Sequence, residues 1–141
     1  MINLKKKKVL ITGASGGIGS SLVKKFLSLD AEVLGSGTNL EKLEKLKNNF
    51  NKIKVKKFDI SSHSQIENFI NEVSEELGGL DILINNAGIN RDNLSLRMKD
   101  DEWKKVIDIN LTSTFLMSKF AIKKMLKNKS GKVVNITSVV G

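Results

Sequence analysis

Residues 12–19 read Thr12-Gly13-Ala14-Ser15-Gly16-Gly17-Ile18-Gly19. Before them lies a short apolar run, Lys-Val-Leu-Ile-Thr at 8–12, and after them Ile18, Leu22, Val23, Phe26 and Leu27 recur at helical spacing. The order is strand, tight turn, helix. Gly13 permits the turn, Gly17 leaves room for a group approaching the backbone, and Gly19 lets the helix pack onto the strand. Turns of many kinds collect glycine, so a purely structural turn is the plain alternative.

The alternation continues outward from that turn. Ala31 to Leu34 reads as a second strand, and Leu40, Leu43 and Leu46 share one face of a helix whose other face carries Glu41, Lys42, Glu44 and Lys45. Ile53 to Phe58 gives a third strand and Ser64 to Leu77 a third helix. Leu80 to Ile84 is a fourth strand, apolar on both faces as a buried parallel strand should be. A helical stretch opens at Asp100-Asp101 and runs through Trp103, Val106 and Ile107. A longer one continues through Leu111, Phe115, Phe120 and Met125, until Gly131 stops it before a fifth strand, Lys132 to Ile136. Trp103 and Phe115, on apolar helical stripes, are expected in the core. Strands alternating with helices imply right-handed crossovers and a parallel sheet covered on both faces, a doubly wound α/β fold. In that context the glycine turn is where a dinucleotide pyrophosphate would meet the positive end of the first helix.

The 141 residues fit one domain, which buries roughly 70% of the surface of its unfolded chain. There is no cysteine and one histidine, so no thiolate or histidine-cluster metal site is expected. No apolar run approaches the roughly 18 residues of a membrane span, and the chain reads as cytoplasmic. The net charge of +9 invites a nucleic-acid partner, but the lysines are dispersed among acidic residues and arginine occurs only at 91 and 97. A solvated basic surface, attractive to an acidic protein, is the expectation. Lys5 to Lys8 read as a lead-in to the first strand, and His63 as a surface residue near a helix start.

The pattern Thr-Gly-x-x-x-Gly-x-Gly at 12–19 resembles that of the short-chain dehydrogenase/reductase family. Three further segments fall in the family's order: Asn85-Asn86-Ala87-Gly88 after the fourth strand, Asn110 in the long helix, and Asn135-Ile136-Thr137-Ser138 ending the fifth. The resemblance covers Lys8 to Gly141 and implies a Rossmann sheet of order 3-2-1-4-5 with a nicotinamide dinucleotide. It assigns cofactor contacts to Thr12, Gly13, Ser15, Gly17, Ile18, Gly19, Asn86, Ala87 and Gly88. The run Ile89-Asn90-Arg91-Asp92-Asn93-Leu94, with Arg97-Met98-Lys99 and Trp103, is similar to the 3-oxoacyl-carrier-protein reductase subgroup. Acetoacetyl-CoA reductases share similar wording. The substrate implied is a 3-oxoacyl thioester, carried on an acyl carrier protein or on CoA, reduced in fatty acid biosynthesis.

NAD-preferring dinucleotide folds place an acid at the end of the second strand. Here stand Gly35-Ser36-Gly37-Thr38-Asn39, with no carboxylate to repel a 2′-phosphate and with Ser36 and Thr38 able to donate to one, which favours NADP over NAD. Against this, many NADP-preferring relatives carry Arg or Lys where Gly16 stands, and Ser36 and Thr38 suit a turn equally. Asp59, ending the third strand, resembles the family residue that contacts the adenine amino group. Capping the helix near Ser62 is its alternative role.

By the same resemblance Ser138 binds the substrate carbonyl and Asn110 anchors a water in the proton relay. Each has a plain alternative in local backbone bonding. The family's proton donor is a tyrosine followed four residues later by a lysine, and the sequence contains no tyrosine. The expectation is an N-terminal part that stops short of the Tyr-x-x-x-Lys segment and is nearly inactive alone. A missing general acid costs about 10² to 10⁴ in rate, roughly 3 to 5 kcal/mol. The run Val133 to Val140 should then form an exposed apolar edge with poor solubility. The resemblance implies a parent homotetramer. A non-catalytic dinucleotide-binding module is the rival reading.

Overall fold

β1 (Lys8–Ile11) is apolar at Val9, Leu10 and Ile11, and all three are fully buried because the strand is paired on both sides and covered on both faces. The computed structural model describes residues 2–88 and 99–136. From β1 the chain runs through α1 (Gly17–Ser28), β2 (Glu32–Gly37), α2 (Leu40–Asn49), β3 (Lys54–Lys57), a 3₁₀ turn (His63–Gln65) and α3 (Ile66–Leu77). Then follow β4 (Ile82–Asn85), α4 (Asp100–Ile107), a π-helical turn (Asp108–Ser113), α5 (Thr114–Lys127) and β5 (Lys132–Asn135). The described strands form a five-stranded sheet of order β3-β2-β1-β4-β5. Every pairing is parallel, as the expected doubly wound order requires.

The period-2 alternation of the strands divides the core in two. Leu10, Leu34 and Leu83 point to the layer of α3 and α5, where they meet Phe69, Ile70, Val73, Met117 and Ala121. Val9, Ile11, Val33 and Ile84 point the other way, with Val23 of α1 and Leu46 of α2. Each such buried aliphatic contributes about 1.5–3 kcal/mol relative to exposure. At the β3 edge Lys54, Lys56 and Lys57 alternate around Val55, and charge on an edge strand opposes further pairing. Lys56 also ties β3 to α3 through Glu72 and Glu76, each at 3.1 Å.

Four sequence expectations are corrected. β2 does not stop at Leu34: Gly35 and Ser36 are strand residues paired with β1 and β3. Gly35 is there for close approach, since a Cβ on it would lie 2.7 Å from Ala14 Cβ. The long helical stretch is interrupted by the π-turn. Trp103 and Phe115 are not core residues; they are 57% and 63% exposed. Helical periodicity finds an apolar face without saying what covers it. His63 is half-buried rather than superficial. As for the apolar edge expected at 133–140, among the described residues β5 pairs only with β4 and leaves Val134 exposed, while residues 137–141 lie outside the described residues.

Candidate functional site

Strand order reverses at β1: the chain first builds outward to β2 and β3, then returns to lay β4 on the other side. In open α/β sheets the crevice beyond the carboxyl ends of two such strands is the binding position. The glycine turn leaves β1 there and residues 86–88 leave β4, so two segments far apart in sequence are brought together.

Thr12 makes the connection. Its side chain is buried, and Oγ1 donates to the Ile84 carbonyl at 3.3 Å. The same oxygen accepts from the backbone amides of Asn86 at 3.0 Å and Ala87 at 2.9 Å. Asn86 Nδ2 donates back to the Gly13 carbonyl at 3.1 Å. Gly13 has φ +61°, and a Cβ on it would stand 3.0 Å from Ala87 Cα, so conformation and space both require glycine. A Cβ on Gly19 would overlap the Gly13 carbonyl oxygen, which is how closely α1 packs under the turn.

Around Gly17 a Cβ would meet nothing within 4 Å, so no packing demands glycine there. Gly16 caps α1 without a side chain and the first turn holds no acid. The leading amides of α1, which have no partners within the helix, are therefore presented with the positive end of its dipole. Ile18 is 62% exposed beside them. This uncapped, acid-free, glycine-lined helix start fits a pyrophosphate.

The adenosine-side residues divide. Ser36 is 1% exposed within β2, and its carbonyl accepts from Ala14 N at 3.0 Å. Thr38, at the strand's end, is exposed. Ser15 Oγ lies 3.5 Å from where a Cβ on Gly37 would stand, so the hydroxyl of the turn lies beside the end of β2. Asp59 accepts from Ser61 Oγ at 2.7 Å and from Ser61 N at 2.9 Å, which closes a local turn one residue short of the helical cap expected at Ser62. Those two bonds, helped by Lys105, hold its carboxyl below the usual range against a smaller opposing effect of burial.

Asn110 lies in the π-turn, with Oδ1 2.5 Å from the position a Cβ on Gly88 would take. It therefore faces the segment that Thr12 holds. Ser138 and the run 89–98 lie outside the described residues. Sequence reasoning missed Asn85, which is buried and donates to Asn135 Oδ1 at 3.0 Å and Ser118 Oγ at 3.1 Å, joining β4, β5 and α5. It also missed the contact of His63 with Ser113. Asn85 stood within the quoted Asn-Asn-Ala-Gly motif; His63 carried no periodic signal. Two cavities of about 420 and 510 Å³ lie elsewhere, one at the amino ends of the strands beside Lys8 and Lys54, the other along Trp103 and Thr112. The glycine turn lines neither.

A glycine turn opening the first helix at the switch point of a parallel sheet defines a Rossmann-like, dinucleotide-binding class of domain. Residues 7–141 match the family model described as short chain dehydrogenase. The chain belongs to this oxidoreductase family. It is 41% identical over 142 residues to the 3-oxoacyl-[acyl-carrier-protein] reductase FabG of Rickettsia bellii, a match covering 100% of this chain and 57% of that protein. The same-named protein of Rickettsia conorii is 43% identical over 145 residues, with the same coverage. That of Vibrio cholerae is 38% identical over 141 residues, covering 99% of this chain and 58% of its own length. The chain thus spans a little over half the length of the curated relatives it matches.

Proposed function

We propose that this chain is the dinucleotide-binding part of an NADPH-dependent reductase that converts 3-oxoacyl thioesters to 3-hydroxyacyl thioesters in fatty acid biosynthesis. The observation that carries the reading is the Thr12 hydroxyl holding Asn86 and Ala87 against the glycine turn, with Asn110 turned toward Gly88. The first-turn amides of α1 at Gly17, Ile18 and Gly19 hold the pyrophosphate, and the backbone of 86–88 borders the nicotinamide side. Ser15 and Thr38 receive the 2′-phosphate and Asp59 the adenine. Ser36, buried in β2, acts on the turn through its backbone carbonyl, which accepts from Ala14 N, rather than as a direct donor to the cofactor. When bound, the dinucleotide supplies a hydride to the 3-oxo carbon. Asn110 holds a water in the path of the proton, and Ser138 binds the carbonyl oxygen.

These 141 residues hold no tyrosine, so the family's proton donor is not among them, and turnover by this stretch alone is negligible. The same fact favours the second reading, a non-catalytic dinucleotide-binding module. Fluorescence titration with NADPH and NADH, followed by an acetoacetyl-thioester reduction assay, tests the first: binding of NADPH in preference to NADH supports it, and absence of binding rejects both.

The partners proposed with this activity are an acidic acyl carrier protein, drawn to a chain of net charge +9, and further copies of the parent enzyme in a homotetramer working in the cytoplasm. Trp103, Ile107, Leu111 and Phe115 recur four residues apart and are all exposed, an apolar stripe suited to self-association. Among the described residues, no helix is long and apolar enough to cross a membrane.

A further inference from the structure

One imidazole touches both ends of the π-turn. His63 Nε2 lies 3.0 Å from Ser113 Oγ, the last residue of the turn, and Nδ1 lies 3.8 Å from Asp108 Oδ1, the first. Ser113 is 0% exposed, and its hydroxyl donates to the Asp108 carbonyl at 3.3 Å, closing the same two residues from inside. With that proton committed, Ser113 Oγ accepts from the ring, so the proton of the neutral imidazole sits on Nε2.

A π-turn is a rare geometry, found most often at functional sites. It adds one residue to the helical path, which rotates what precedes it relative to α5 by about 100°. Relaxing the turn to an α-helix would therefore carry Asn110 away from Gly88.

We propose that His63, reaching across from the β3–α3 connection, is the positioning residue that pins this π-turn and so aims Asn110 at Gly88. It touches neither substrate nor cofactor and acts through Ser113. The connection that carries it also carries Asp59, so the adenine side and the Asn110 side of the site share one short support. Asp108 meets the ring from the helical side. On its own connection Asp59 is already engaged by Ser61, with Lys105 nearby. The functional weight of this clamp rests on the proposed reductase reading; its geometry does not.

The sequence has a single histidine, which makes the test clean. Nuclear magnetic resonance of the labelled chain should show a through-space contact between the His63 ring and the Ser113 side chain, and should place the Asn110 side-chain amide beside Gly88. His63→Ala should displace the Asn110 resonance, and His63→Gln, whose side-chain amide can reach Ser113 Oγ, should return it. Absence of the His63–Ser113 contact in the unaltered protein overturns the proposal, and that experiment needs no variant to fold; an Asn110 resonance unmoved in His63→Ala overturns it as well. NADPH titration of the same samples separates the two readings. The His63–Ser113 contact without NADPH binding sinks the reductase and leaves the clamp; binding without that contact sinks the clamp alone.

Discussion

Thr12 Oγ1 and the amide of Ala87, 75 residues apart in the chain, are joined by a hydrogen bond of 2.9 Å. The same oxygen takes the amide of Asn86 and gives its own proton to Ile84, so one buried hydroxyl fixes the distance between the glycine turn and the end of β4. Thr12→Val keeps the shape and removes every one of these bonds. The expected loss is about 1–3 kcal/mol, because two part-buried amides lose their acceptor. Urea denaturation should give a lower midpoint at unchanged slope, together with weaker NADPH binding; an unchanged midpoint would remove Thr12 from its structural role.

Gly17 and Gly19 separate binding from folding. Alanine at Gly17 meets no protein atom, so Gly17→Ala should melt no lower than the parent, and up to about 1 kcal/mol higher from the helical preference of alanine over glycine. NADPH affinity should nevertheless fall at least about tenfold, roughly 1.4 kcal/mol. Gly19→Ala drives a methyl into the Gly13 carbonyl and should lower stability directly. Thermal melts and titrations on the two variants check this, and equal affinity for parent and Gly17→Ala would argue against a phosphate at that amide.

Asp59 sets a pH dependence. Its folded carboxyl is held below the ordinary value by Ser61, so the stability it adds is present above the unfolded carboxylate pKa and lost as pH falls through the lower folded value. Because the group is exposed, the effect is modest. Comparing Asp59→Ala with the parent at neutral pH and again below about pH 4 should show the gap between their unfolding midpoints closing on the acid side. A gap that widens there would reverse the sign.

The stripe on α4, the π-turn and α5 supports a different prediction. Leu111 and Phe115 are each 63% exposed, so Leu111→Glu or Phe115→Glu should change monomer stability by no more than about 0.5 kcal/mol. Either should abolish self-association in sedimentation experiments and improve solubility. A large drop in melting temperature with unchanged assembly would mean that the stripe is internal packing.

Most of this architecture was legible because strands buried on both faces and helices with one apolar face leave different periods in the sequence. The alternation from Val9 to Val133 therefore sufficed for a parallel sheet covered on both faces and the glycine spacing for the turn, while the strand order came from the family resemblance. Where reading failed, the cause was a long-range contact or missing cover. Gly35 reads as a break, yet it is the place where Ala14 and Ile53 approach β2 most closely. Trp103 and Phe115 carry helical periodicity that is blind to what lies opposite. His63 acts through Ser113, 50 residues away, and no local pattern announces such a pair.

Titration of the 141-residue chain with NADPH, with NADH in parallel and an acetoacetyl thioester added at saturation, bears on the whole reading at once. Saturable binding that favours NADPH, weakened at least about tenfold in Gly17→Ala and giving no turnover, is the expected result. Failure to bind either dinucleotide would contradict the site at the α1 turn, and turnover by a polypeptide without tyrosine would contradict the assigned proton path.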